Sequence, residues 1–375
     1  MTDSSSLTEL ERAVTAALAS VQDPEIRRPI TDLGMVASVT EDQSGAFPGR
    51  VTVAVLLTIV GCPLSTTIER DVTTAASAVP GVTDVQVEVG VMSPEQRAEL
   101  IRSLKRRTIP FADPHSLTRV IGVASGKGGV GKSTVTVNLA AALAAQGFKV
   151  GVVDADVYGF SVPALMGLND AKPTRVGELI MPPVAFGVKV ISIGMFLDES
   201  RPIMWRGPML HRALEQFLTD VHFGDLDFLL LDLPPGTGDI AISASQLLPG
   251  SELVVVTTPQ AAAADVAQRA GEATAQTGQK VIGVIENMSW MELPDGTRVS
   301  PFGEGGGQKV ANQLKVDLLG TIPLESELRA GGDTGMPIVI GDSSSPAAQA
   351  LMGIAQKISI APRGLSGRRL GVQPT

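Results

Sequence analysis

From Thr118 onward the chain alternates short apolar runs with longer stretches of helical spacing, and that alternation leaves few folds open. The runs fall at residues 120–124, 150–153, 188–193, 228–231, 253–256, 281–285 and 318–322. They are largely continuous rather than alternating, as expected of strands buried on both faces. The pattern therefore predicts an α/β fold with a mostly parallel sheet wrapped by helices. No run approaches the roughly 20 apolar residues of a membrane span. The opening MTDSSSLTEL has no basic segment followed by an apolar one. A cytoplasmic protein with no membrane partner is expected.

The front of the chain has a different texture. Leu7, Leu10, Val14 and Leu18 form a helical stripe, and strand-like segments follow at 35–39 and 51–57. A helix-compatible stretch at 64–78 begins on the turn Gly61-Cys62-Pro63, with proline where a helix entrance tolerates it. Val85, Val87, Val89 and Val91 then alternate with polar residues or glycine, the pattern of a half-buried strand. Residues 7–92 thus read as a small α/β domain and the charged, proline-bearing 93–117 as a linker with room for a short helix at its start. Residues 118–360 form the larger domain, and 361–375 a disordered tail.

Thirty basic against 39 acidic residues argue against a nucleic-acid partner, because a phosphate backbone demands a basic footprint. The single cysteine, Cys62, excludes an intrachain disulfide. His115, His211 and His222 lie too far apart in sequence to suggest a local metal motif.

The segment Gly126-Lys127-Gly128-Gly129-Val130-Gly131-Lys132-Ser133-Thr134 fits the G-x-x-x-x-G-K-[ST] pattern, with a strand leading in and a helix leading out. Glycines there let backbone N–H groups turn toward a phosphate at the positive end of a helix. Lys132 is placed to reach the β- and γ-phosphates of ATP, and the Ser133 hydroxyl to bind Mg²⁺. Asp232 ends the apolar FLLLD, one carboxylate held rigidly for Mg²⁺. The glycines of LPPGTGD follow it and suit a loop that responds to the γ-phosphate. Asp154 and Asp156 close an earlier strand, where neither carboxylate would be buried without a cation or donors nearby. Asn287, after the strand VIGVIE, offers a donor and an acceptor that suit an adenine edge, or else caps a turn. Pro323 either flanks the base or simply shapes a turn.

A second lysine in the loop, Lys127, resembles the deviant Walker A group. That resemblance implies a homodimer in which Lys127 reaches the partner's nucleotide, Asp156 orients the attacking water, and Asp154 lies close to the Mg²⁺. Catalysis would then rest on Lys127, Lys132 and Asp156. More of the chain is similar to the Mrp/ApbC family of iron–sulfur cluster carrier ATPases. The matching segments are GKGGVGKST, DADVYGFSVP (154–163), MWRGPM (204–209), DLPPGTGD (232–239), TTPQ (257–260), ENMS (286–289) and GGDTGMP (331–337). DPEI (23–26), TDLGMV (31–36) and GCPL (61–64) resemble the small iron–sulfur-assembly domain fused to such carriers.

The resemblance implies an ATP-hydrolysing dimer that works with iron–sulfur assembly proteins or apoprotein clients. Carriers of this family usually have a C-x-x-C pair just after ENMS, and a dimer's two pairs share one cluster. This chain reads WMELPDGTRVSPFGEGGG there, without cysteine, and Glu292, Asp295 or Glu304 are poor substitutes for thiolates. The resemblance therefore does not extend to a cluster at the usual position. Cys62 stays open as a functional thiol or an inert turn residue. Two alternatives follow: a nucleotide-gated adaptor that never carries a cluster, or a spatial-organising ATPase of the MinD/ParA kind. The last would need an amphipathic membrane helix or a basic surface, and the stretch AAQALMGIAQKISIA is only weakly amphipathic.

Overall fold

The computed structural model describes residues 8–24, 26, 28–44, 47–58, 65–104, 109–157, 159–196, 207–236, 238–260 and 279–362. They divide into two compact units, and the division is not a simple cut. The first holds the described residues up to the end of the third helix together with Thr174–Met181; the second holds the rest.

In the first unit, helix α1 (Glu9–Ala17) opens on a reciprocal cap. The Thr8 hydroxyl accepts the Glu11 N–H while the Glu11 carboxylate accepts the Thr8 N–H. The other Glu11 oxygen accepts the N–H of Glu41, which fastens α1 to the end of β1 (Val36–Glu41). Strand β2 (Arg50–Leu57) runs antiparallel to β1, and α2 (Ser65–Ser77) crosses over to β3 (Asp84–Val91), parallel to β2. Val51, Val53, Val55 and Leu57 of the central strand are all buried, as the period-two pleat requires. On the edge strand the alternation is only half realised. Val85 and Val87 pack against the core, whereas Val89 and Val91 remain 40% and 39% exposed.

Two features depart from the expected domain bounds. Residues 93–117 open with the helix that the linker reading left room for, α3 (Pro94–Leu104), with its own cap: Ser93 Oγ accepts the Gln96 N–H and Gln96 Oε1 accepts the Ser93 N–H. Its Leu100 is buried in the first unit's core with Met92, so this unit extends past residue 92. The second departure is the hairpin within Thr174–Met181. It lies in the sequence of the expected larger domain, yet Val176, Leu179 and Met181 are buried members of the first unit's core.

In the second unit the strands follow as β4 (Arg119–Ser125), β5 (Val150–Asp154), the hairpin pair β6 (Thr174–Val176) and β7 (Leu179–Met181) that belongs to the first unit, β8 (Val184–Ala185), β9 (Val188–Ser192), β10 (Phe228–Asp232), β11 (Glu252–Thr257), β12 (Lys280–Glu286), a small hairpin of β13 (Met291–Glu292) and β14 (Arg298–Val299), and β15 (Leu318–Thr321). Eight of them form one sheet in the order β15, β12, β11, β4, β10, β5, β9, β8, parallel throughout except for β8. This is the expected doubly covered α/β sheet. Helix α4 (Lys132–Ala145) is buried almost all round, through Val135, Val137, Leu139, Ala140 to Ala142 and Leu143. It packs between the sheet and the helix Pro346–Ile360. A helix apolar on every side has to be an interior one.

The hairpin assignment has a direct test. Leu179→Ala should cost about 2–5 kcal/mol of stability and should speed amide exchange in residues 51–57, far away in sequence. Unchanged exchange there would show that the hairpin is not part of that core.

Candidate nucleotide site

Sheet register assembles the site before any side chain is considered. In the neighbouring strands β10, β5 and β9, Asp232 lies opposite Asp154, and Asp154 opposite Ser192. Asp232 also lies opposite Val123 of β4, just before the phosphate loop begins. Three strand ends therefore deliver two carboxylates and a hydroxyl in one row, at the carboxyl edge where open α/β sheets place their chemistry.

Between β4 and α4 the loop turns on glycine. Gly129 and Gly131 have φ of +79° and +80°, conformations that a side chain disfavours. At Gly131 space is a second constraint, since an added Cβ would lie 2.3 Å from Asn287 Nδ2. Lys132 and Ser133 follow in the first turn of α4, at its positive end.

The side chains converge on Asp232, which is fully buried. Its Oδ1 accepts from Lys132 Nζ at 2.7 Å and from Thr136 Oγ1 at 2.9 Å, and its Oδ2 accepts from Ser133 Oγ at 2.5 Å. Lys132 Nζ also lies 3.6 Å from Asp156 Oδ2. Asp156 accepts the N–H of Gly159, while Asp154 accepts the N–H groups of Asp156 and Val162 and the Ser192 hydroxyl. Burial, and secondarily the charge of Asp232, push the Asp154 carboxyl up to about 8.

The structure thus brings Lys132, Ser133, Asp154, Asp156 and Asp232 into one cluster. Lys127 points elsewhere: its ammonium donates to Gln260 Oε1 at 2.8 Å. Asn287 lies against the loop and donates through Nδ2 to the Val130 carbonyl at 2.9 Å. Its Oδ1 is buried without a hydrogen-bond partner among the described residues, an acceptor still to be satisfied. In the DLPPGTGD loop the Gly236 N–H donates to the Ser125 carbonyl, tying that loop to the start of the phosphate loop. Cys62, all of GCPL and the first three residues of MWRGPM lie outside the described residues.

Among the described residues no group of three or more His, Cys, Asp or Glu side chains is arranged to hold a metal ion by itself. Mg²⁺ does not need one, because it is usually held by one or two carboxylates together with substrate phosphates. The donor set fits that mode: a hydroxyl at Ser133 and a carboxylate at Asp232, with the Asp154 carboxyl, raised chiefly by burial and then by the charge of Asp232, beside them.

Sequence reasoning missed three residues of this neighbourhood. Thr136 follows Lys132 by one helical turn, so its approach to Asp232 was readable from the spacing. Gln260 ends the quoted TTPQ but carried no assignment. Ser192 closes a strand with nothing in its local sequence to mark it.

The segment 290–304, where carriers of this kind usually have a cysteine pair, contains the β13–β14 hairpin. Glu292 accepts from Arg298, whose guanidinium lies 3.9 Å from the centre of the Trp290 ring. Asp295 accepts the Thr297 N–H, and Glu304 accepts from Ser300. Each of these acids is already engaged.

The raised Asp154 carboxyl has a consequence for stability. Near neutral pH the folded chain holds a proton that the unfolded chain has released, so this contribution is present below the ordinary range near pH 4. It fades as pH rises toward 8, by up to about 1.4 kcal/mol per pH unit. Without nucleotide or divalent cations, the thermal midpoint should fall between pH 6 and 8, and Asp154→Asn should remove that part of the slope. An identical slope in the variant would refute the assignment.

Known proteins were compared with this chain. The model for the NUBPL iron-transfer P-loop NTPase family matches residues 116–359, and the model for an iron–sulfur cluster assembly protein matches residues 11–89. An iron–sulfur cluster carrier protein of Mycobacterium tuberculosis is 55% identical over 98% of this chain and 98% of its own length. One from Bacillus subtilis is 40% identical over 84% and 88%. Among solved structures, a nucleotide-binding protein from Archaeoglobus fulgidus in complex with ADP is 37% identical, with a TM-score of 0.51, covering 60% of this chain and 92% of its own. The septum site-determining protein MinD of Pyrococcus horikoshii, complexed with Mg-ADP, is 26% identical, with a TM-score of 0.50 and coverage of 67% and 98%. With its fold, its phosphate loop and both family matches in agreement, the chain belongs to the NUBPL iron-transfer P-loop NTPase family, joined to an iron–sulfur cluster assembly domain at its front.

Proposed function

We propose that this protein is a Mg²⁺-dependent ATP hydrolase, working as a homodimer, that binds and passes on iron–sulfur clusters or assists their assembly on apoproteins. The observation that carries the enzymatic part is the cluster around Asp232, with a second loop lysine beside it. Iron–sulfur work is supported by the family and by the names of its relatives.

Each residue has a task in this reading. The loop N–H groups cradle the phosphates of ATP, and Lys132 exchanges Asp232 for the β- and γ-phosphate oxygens. Ser133 and Asp232 would hold Mg²⁺, with Asp154 beside them, and the ion would neutralise charge on the phosphates. Asp156, held by the Gly159 N–H and next to Lys132, orients the attacking water. Lys127 reaches the nucleotide of the other subunit and adds positive charge where the transferring phosphoryl group gathers negative charge. Asn287 offers its unpartnered Oδ1 to the adenine amino group.

A second reading, the adaptor that never carries a cluster, is favoured by one observation. The hairpin at 290–304 has no thiol, and its acids are already engaged by neighbours. In the carrier reading, by contrast, cluster binding would fall to Cys62 with a thiol from elsewhere. The spatial-organising reading draws less support. The helix Pro346–Ile360 buries Ala347, Ala348, Leu351, Ile354, Ala355 and Ile358, leaving little apolar face for a membrane.

Lys132→Ala should lower ATP turnover on the order of 10²–10³-fold, and Asp156→Asn comparably, with nucleotide binding retained only in the latter. Phosphate release that is unchanged in Lys132→Ala would end the hydrolase reading. Anaerobic reconstitution with iron and sulfide separates the other two. Charge-transfer absorption that disappears in Cys62→Ser supports carriage, whereas no absorption in the wild-type protein supports the adaptor.

A further inference from the structure

The two lysines of the phosphate loop are held by different chemistry. Lys132 sits among carboxylates, at 2.7 Å from Asp232 and 3.6 Å from Asp156. Lys127 is half-buried, and among the described residues its side chain has one polar partner, the amide oxygen of Gln260 at 2.8 Å. The pairing is written into the sheet. Strands β4 and β11 are parallel neighbours with Ser125 opposite Val256, and Lys127 and Gln260 stand shortly beyond those two residues on adjacent strand-end loops. The backbone of Lys127 is pinned as well, since its carbonyl accepts the Ser125 hydroxyl at 3.1 Å. What remains able to swing is the lysine side chain.

We propose that Gln260 is a positioning residue: it parks Lys127 on its own subunit and releases it to the other subunit's phosphates as ATP draws two copies together. The proposal rests on the homodimer reading above and adds a control point to it. An amide oxygen suits this task because of its charge. It carries only a partial negative charge, so it orients an ammonium group without binding it as a carboxylate would. A nucleotide brings several full negative charges and wins the competition. A glutamate in the same place would compete far better and hold the lysine back.

The test uses the full chain with Gln260→Glu and Gln260→Ala, and Lys127→Ala as reference. ATP-driven pairing is followed by sedimentation velocity across an ATP titration. Binding to single subunits is followed with a fluorescent ATP analogue at high dilution, and kcat is measured in parallel. Gln260→Glu should need about fivefold more ATP for half-maximal pairing and show a lower kcat, the upper range for a partly exposed ion pair. Gln260→Ala should pair at lower ATP than the wild type. Binding by single subunits should stay within about twofold for both, which a merely structural defect would not preserve. If both variants pair at the wild-type ATP concentration while Lys127→Ala does not pair, parking is refuted and the homodimer reading survives. If the wild-type protein itself never pairs, both fall. Should Gln260→Glu melt well below the wild type, Gln260→Ala decides alone, and pairing at or above the wild-type ATP concentration overturns the proposal.

Discussion

A carboxylate with no exposed surface, at the end of the strand next to the phosphate loop, sets the terms for everything around it. Asp232 is tolerable there because three donors reach it from the first turns of α4: Lys132, Ser133 and Thr136. Removing any partner of a buried charge is costly, about 3–5 kcal/mol when the partner is the opposite charge. This one residue therefore fixes where α4 begins, and with it the curl of the glycine loop. The same arrangement leaves a shortage of cation. Lys132 is one positive charge among three aspartates, and Asp154, in the same row, is pushed toward its neutral form by burial first and by the charge of Asp232 second.

Much of this was legible in the chain itself. Continuous apolar strands gave the parallel sheet because burial on both faces forbids alternation. The loop from Gly126 to Ser133 was legible because so few sequences can make that turn, and Gly131 shows why: both its positive φ and its contact with Asn287 exclude a side chain. Asp154 and Asp232 could be placed at strand ends, but their position in one row depends on register, which pairs residues far apart in sequence. Ser192 and Gln260 were invisible for the same reason. Each acquires its meaning only from the strand beside it.

Helix α3 teaches a different lesson. Charge and prolines make residues 93–117 read as a linker with room for a short helix, yet Ser93 and Gln96 spell a reciprocal cap, and Leu100 is buried in the first unit's core. Local capping chemistry outweighed overall polarity. The edge strand β3 errs the other way. Its valines alternate as a half-buried strand should, but position at the sheet edge leaves Val89 and Val91 largely uncovered.

The hairpin of Thr174–Met181 places the two units in an order in time. The front unit's core includes Val176, Leu179 and Met181, which a ribosome makes only after the whole phosphate loop and helix α4. At ~5–20 residues per second, synthesis from residue 105 to residue 181 occupies a matter of seconds. During that interval the front unit exists with three apolar side chains missing from its core. A domain that lies first in the sequence is therefore completed only about midway through synthesis, when Met181 has been added.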